Sequence, residues 1–401
     1  MNSHLSGNRL VICLVGFIMA VGAGTGLQAE PYLPKDGSEV LETTRSTAFD
    51  PVAHQMRELR GRLATDPENV PLACQFARSC IERSRTDADP RFLGRAQAAL
   101  SPWWNSPQPP IDVLVLRATL KQSQHDFTNA LADLSLAARL APNNPQVWLT
   151  RATILTVLGD YAGARQACLS LAQLAPGLIA LTAIANVTAL NGGAERACSL
   201  LQSTLAANPS ASADEKNWGL TALAESSGRL GRTAAAEAAF QSALALGQHD
   251  PYLLGAYADF LLDQGRAKEV ADLLKNETRA DALLLRLALA ESELEPRPAN
   301  FAAHVDSLKA RFEAGHLRGD FVHQREEARF TLWLLHEPQP ALRLAQTNWQ
   351  VQHEPADMRI LLECALAASD PTAARPVLEF IHTNHLEDVE LANLANKLNY
   401  K

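Results

Sequence analysis

Alanine recurs in this 401-residue chain at positions 118, 152, 185, 224 and 258, at intervals of 34, 33, 39 and 34 residues. Twelve residues after each comes a second small or branched residue: Ala130, Ala164, Ala197, Ala236 and Val270. Four residues before each alanine stands a large one: Leu114, Trp148, Leu181, Leu220 and Leu254. Between the two anchors a turn residue recurs at His125, Gly159, Gly192, Gly231 and Gly265, and Pro142, Pro176 and Pro209 close the first three units. A period of this length predicts one supersecondary unit repeated in series, each unable to bury its apolar face without its neighbours.

The spacing predicts a pair of antiparallel helices per unit. Small anchors let the two helices approach closely, and the large residue is expected to pack on the next unit. Glycine at the turn supplies the left-handed conformation that ends the first helix. Proline follows the second helix because it cannot continue one.

In period and anchor pattern the chain resembles the tetratricopeptide repeat, a 34-residue helix-turn-helix unit. The resemblance covers residues 111–279 in five units, and looser pairs flank them. It implies an all-α fold: an α-solenoid of about nine helix-turn-helix repeats forming a right-handed superhelix. Residues 51–110 read as a divergent N-terminal helix pair or pairs with a long loop. Residues 280–383 read as divergent repeats with drifted anchors such as Ala328, Ala341 and Ala374, and 384–401 as a capping helix. SASADEK, 210–216, and ELEPRPAN, 293–300, read as loop insertions.

The N-terminus reads differently. Arg9, an apolar run from Leu10 to about Val21, and small residues ending at Ala29 form a secretory signal pattern covering 1–29, with cleavage expected after Ala29. Retention as a membrane anchor is the alternative, and it needs about 20 apolar residues. Residues 30–50 show no helical period and read as an extended or flexible lead-in. Export to the periplasm or cell envelope follows as an expectation, with extracellular release the alternative and no stable membrane span after cleavage. The mature chain would carry 35 basic and 44 acidic residues without a Lys/Arg run, which argues against a nucleic-acid partner.

Five cysteines would remain: Cys74, Cys80, Cys168, Cys198 and Cys364. Cys74 and Cys80 lie six residues apart on one expected helix, about 9 Å by the helical rise, beyond disulfide reach. All five are expected to be free and buried.

Catalytic motifs are missing. The chain has no Walker loop, HExxH or GxSxG, and its one glycine-rich stretch, GAGTG at 22–26, belongs to the leader. His382 and His385 could offer two imidazoles to a metal, but HTNHLED also reads as a solvated turn. Arg318-Gly319-Asp320 falls where a turn wants glycine, and Asn186, in a glycan-acceptor triplet, falls mid-helix. Trp103 and Trp104, in PWWNSPQPP, read either as an exposed contact surface or as staples for a long loop. No metal or cofactor is expected.

In this family the concave face is lined by the first helix of each unit. The resemblance places Thr119, Gln146, Thr153, Asn186, Trp218, Tyr252 and Asp259 there, with Glu225 beside them. The positions assigned in the five core units contain no Lys or Arg, which disfavours a clamp for a peptide carboxylate. An amide- and hydroxyl-lined trough with Trp218 and Tyr252 at equivalent positions suits an extended peptide. Those two aromatics could equally pack between units. The function expected is a non-enzymatic scaffold binding other proteins. One alternative is a small-ligand or metal-binding protein; another is an enzyme whose site spans repeats, hinted at only by Glu225 and Asp259.

Overall fold

A computed structural model describes Asp36, residues 50–319 and residues 322–398. The chain divides after Asp50 into two units, and the helices belong to the second, Pro51–Lys401. The expected leader and lead-in, except Asp36 and Asp50, and Asp320 of the Arg-Gly-Asp triplet lie outside the described residues.

The described residues form 20 α-helices and no strand. A leading helix, α1 (Pro51–Thr65), precedes nine consecutive pairs. They are α2 (Val70–Asp87) with α3 (Arg91–Ala99), α4 (Ile111–Ser123) with α5 (Phe127–Leu140), and α6 (Pro145–Val157) with α7 (Tyr161–Leu174). Next come α8 (Leu178–Ala189) with α9 (Ala194–Ala207), α10 (Ala213–Arg229) with α11 (Thr233–Leu244), and α12 (Pro251–Asp263) with α13 (Ala267–Leu274). The last three are α14 (Asp281–Glu293) with α15 (Phe301–Leu317), α16 (Gln324–Trp333) with α17 (Pro338–Trp349), and α18 (Pro355–Ala367) with α19 (Pro371–Thr383). A short α20 (Val389–Lys397) ends the series.

Local signals account for the helix starts. Asn144, Asp250 and Asp370 each accept a backbone N–H from the first turn and are each followed by proline at the first helical position. The acid-aromatic pairs Asp126-Phe127 and Asp160-Tyr161 divide the work: the carboxylate caps, and the ring is buried. Ser212 and Glu215 form a reciprocal capping box. The expected loop insertion at 210–216 is therefore loop only to Ser212, and the remainder lengthens α10 to 17 residues.

The anchors behave as the period requires. Ala118, Ala152, Ala185, Ala224 and Ala258 are all at most 1% exposed, and Ala130, Ala164, Ala197, Ala236 and Val270 are fully buried. At the large position Leu114 is fully buried, and Trp148, Leu181, Leu220 and Leu254 are half-buried, with Trp148, Leu220 and Leu254 packed against the apolar clusters. The residues just before them, Val113, Val147, Ala180, Gly219 and Leu253, are enclosed. The turn residues Gly159, Gly192, Gly231 and Gly265, and His125 too, take positive φ between 57° and 76°.

The five cysteines are free and buried. Burial pushes the thiols of Cys74, Cys80 and Cys168 up to about 11 and that of Cys364 to about 12, so they act as small hydrophobes and not as nucleophiles. The Trp103-Trp104 loop is held by Arg117, whose Nη1 donates to the carbonyls of Trp103, Trp104 and Ser106 at 3.2, 2.6 and 3.1 Å. Both indoles are half-buried against the apolar cluster of α1–α4, which favours the staple reading.

The helix pairs coil back onto themselves. His249, ahead of α12, hydrogen-bonds to the Thr86 carbonyl at the end of α2, and Asp250 pairs with Arg85. Further along, the His353 amide, ahead of α18, donates to the Val157 carbonyl at the end of α6 at 2.8 Å. Glu387, ahead of α20, accepts from the Ala194 amide at the start of α9 at 2.8 Å. Turn by turn, Gly159 lies against Phe380 and His353, Gly192 against His385, and Gly231 against Val389. One apolar cluster accordingly joins residues of α6–α8 with residues of α16–α20.

Candidate functional site

Coiling places first helices of the middle pairs opposite first helices of the last pairs, with a cavity of about 270 Å³ between them. α10, α11, α12 and α14 supply one wall, and α16, α18 and α20 the other. The apolar lining includes Phe240, Phe260, Leu285, Ile360 and Leu391. The polar lining includes Arg229, Arg286, Arg325, Arg329 and Arg359 with Glu225, Asp259, Asp263, Glu326, Glu363, Asp388 and Glu390.

Most of these charges neutralise one another. Asp259 accepts from Arg286 at 2.5 Å and from Arg329 at 2.6 Å. Burial pulls its carboxyl up, and the two guanidiniums overcome that and hold it well below the usual carboxylate range. Arg359 grips Asp263 through two nitrogens at 2.7 and 2.8 Å and Glu363 at 2.7 Å. Arg325 reaches Glu354 at 3.0 Å, the fully buried Asp357 at 3.3 Å and Glu326 at 3.2 Å.

Glu225 is different: its Oε1 accepts from the Tyr252 hydroxyl at 2.8 Å, and burial raises its pKa. The Glu225 charge in turn pushes the Tyr252 phenol up. Glu225 and Asp259 therefore share a cavity without sharing a proton; one is tied to a phenol and the other to two arginines.

The residues expected on the concave face divide into groups. Asp259 lines the cavity. Tyr252 is 62% exposed and touches the cavity wall through Glu225. Trp218, its counterpart in the preceding unit, is half-buried against the apolar cluster. Thr153 and Gln146 are exposed, Thr119 and Asn186 half-buried. The hydroxyls of Thr119 and Thr153 bond back to helix carbonyls at 3.0 and 3.1 Å, while the Gln146 amide donates to Thr150 Oγ1 at 3.1 Å. His382 and His385 stand with rings 6.5 Å apart, both exposed, and among the described residues no group of three His, Cys, Asp or Glu side chains converges as a metal site.

The positions assigned in the five core units hold no Lys or Arg, but the later units bring arginines to the cavity. Carrying the register on to the unit anchored at Ala328 puts Arg325 and Arg329 at its fifth and ninth positions. The unit whose second anchor is Ala374 likewise has Arg359 and Glu363 at those positions. All four line the cavity. Five units were too few to see them. Arg229 and Arg286 fall outside those positions and carry no such signal.

The chain folds as a tetratricopeptide-like solenoid. Its sequence matches no protein-family model and no curated protein. Among solved structures, this solenoid is similar to a tetratricopeptide repeat protein from Parabacteroides merdae at 15% identity, covering 64% of this chain and 91% of that one with a TM-score of 0.43. It is similar to PilW, described as a widely conserved type IV pilus biogenesis factor, at 14% identity, 71% and 97% coverage, and TM-score 0.35. Yeast Tom70 is matched at 11% identity, 88% and 86% coverage, and TM-score 0.40. Among the described residues of the solenoid, no helix is long and apolar enough to cross a membrane.

Proposed function

We propose that this protein is a non-enzymatic scaffold, exported to the periplasm or cell envelope, that binds partner polypeptides through its concave face. The observation carrying the proposal is the use of the chain: from Val70 to Thr383 the described residues are helix pairs in series, with no separate stretch large enough for a catalytic domain. Export rests on the leader pattern of residues 1–29.

The contact surface within this reading is the part of the concave face that the later repeats do not occupy. Gln146, Thr153 and Tyr252 keep solvent access there, and amides, hydroxyls and a phenol suit the backbone and apolar side chains of an extended segment. Asp259 is committed to its arginines and Trp218 to packing, so neither is the first contact.

Native co-purification from the envelope fraction tests this, comparing the full chain with a Gln146→Ala/Thr153→Ala/Tyr252→Ala variant of unchanged helical circular dichroism. A specific polypeptide captured by the wild type and lost by the variant is the expected result. Equal capture places the interface elsewhere, and absence of any specific partner overturns the scaffold reading. N-terminal sequencing of the exported chain is expected to begin at Glu30.

A further inference from the structure

Of the five arginines lining the central cavity, four have carboxylate partners between 2.5 and 3.3 Å. Arg229 has none within 4 Å among the described residues. Its Nη2 has only the Ser226 hydroxyl, at 3.3 Å, and its Nε is buried without any hydrogen-bond partner. A guanidinium stays charged at any physiological pH, and an unmade buried donor costs about 1–3 kcal/mol. Its charge is felt through space by Glu225 and Asp388, but it forms no ion pair with either, so the Nη1 hydrogens have no partner among the described residues and are offered to an acceptor in the cavity.

We propose that the cavity binds a small organic monocarboxylate, its carboxylate on Arg229 and its apolar body against the Phe240, Phe260 and Leu285 side of the lining. Three observations select this class. Carboxylates already outnumber guanidiniums in the lining, so an incoming anion must carry as little charge as possible, and a monoanion is repelled less than a dianion such as phosphate. The terminal Nη1 and Nη2 of Arg229, unlike its buried Nε, can meet a carboxylate end-on through two N–H bonds. The cavity, about 270 Å³, sits just below the usual range for small-molecule pockets, and its aromatic and aliphatic wall gives a short apolar body a dry surface. This inference stands apart from the scaffold reading, because it concerns the inside of the coil and needs no polypeptide partner.

The test is titration calorimetry of the full mature chain with phenylacetate and with the straight-chain monocarboxylates from butyrate to octanoate. Phenylacetamide serves as the neutral isostere and inorganic phosphate as the dianion. Saturable binding of at least one monocarboxylate with Kd below about 1 mM is expected, with no binding of the amide. Arg229→Gln should weaken it tenfold or more, and Arg229→Lys, which keeps the charge and loses the fork, by a smaller factor; both variants should keep wild-type circular dichroism. Should Arg229→Gln unfold the chain, Phe260→Trp provides the second readout: indole emission that changes on adding the monocarboxylate and not the amide. The proposal is overturned if no monocarboxylate in the series binds, if the amide binds equally well, if binding survives Arg229→Gln, or if phosphate alone binds.

Discussion

Arg359 and Asp263 lie 96 residues apart in the chain and meet through two hydrogen bonds of 2.7 and 2.8 Å. The pair ties α18 to α12 across the interior of the coil, three helix pairs apart. It is partly shielded from water, with side chains 33% and 23% exposed, so it is worth more than a surface ion pair and less than a buried one. Asp263→Asn is expected to lower unfolding free energy by about 1–2 kcal/mol. A double-mutant cycle with Arg359→Gln in urea should return a coupling energy of that sign, and salt at about 0.5 M should reduce it. A coupling of zero would mean that the late repeats do not close on the middle ones in solution.

Gly159 and Gly265 occupy the same turn in two units, with φ of +76° and +67°. Alanine at either position incurs the left-handed penalty of about 1–2 kcal/mol. At Gly265 a Cβ meets nothing within 4 Å, whereas at Gly159 it would land 2.6 Å from Phe380 Cζ. Gly159→Ala should therefore destabilise by about 1–3 kcal/mol more than Gly265→Ala, from overpacking alone. Chemical denaturation of the two variants separates local turn chemistry from contact between successive turns of the coil; equal losses would remove that contact.

That Gly159 stands at a left-handed turn is legible from its place seven residues after Ala152, because the turn is local, and His125 fills the same turn in another unit. That Phe380 sits on it is not, because the two are 221 residues apart and no periodic signal links them. Trp218 and Tyr252 make the same point: they share a register, yet the indole packs against an apolar cluster and the phenol is open. The helix pairs, the anchors and the buried thiols were legible because each is fixed by neighbours within one period. The cavity was legible in half: Arg325, Arg329 and Arg359 follow from continuing the register through drifted anchors, while the coil that turns them inward is a sum of small offsets between units.

Arg117 and Asp133 are buried, 5% and 7% exposed, and bonded at 2.6 and 2.8 Å. Arg117 also satisfies three carbonyls of the tryptophan loop. Arg117→Met leaves those carbonyls without their donor and Asp133 with Lys121 alone, at 2.8 Å. Loss of one partner of a buried pair costs about 3–5 kcal/mol, and the remaining lysine argues for the lower end, about 3 kcal/mol. Indole emission should shift to the red as Trp103 and Trp104 gain water. A large stability loss with unshifted emission would mean that the loop is held by packing and not by Arg117.

His353 supplies the pH dependence. Its ring sits between Trp349, with centroids 4.3 Å apart, and Phe380, stacked at 5.3 Å, and its Nδ1 is buried without a partner. Burial lowers its pKa below the ordinary value near 6.5, against a smaller opposing pull from Asp357. In the unfolded chain the imidazole takes up its proton near pH 6.5, while the folded chain resists until lower pH. The stabilising contribution is therefore complete above about pH 6.5 and is lost as pH falls from there through the depressed folded pKa. Glu225 and Glu354, whose pKa values burial raises, act in the opposite direction on acidification, so the total profile mixes both. Subtracting the profile of His353→Asn cancels those shared groups. Relative to the variant, the wild type should lose stability between about pH 7 and 5, measured by urea midpoints at constant ionic strength. Parallel profiles would show that the imidazole is open to solvent and that the α6–α18 contact is not closed around it.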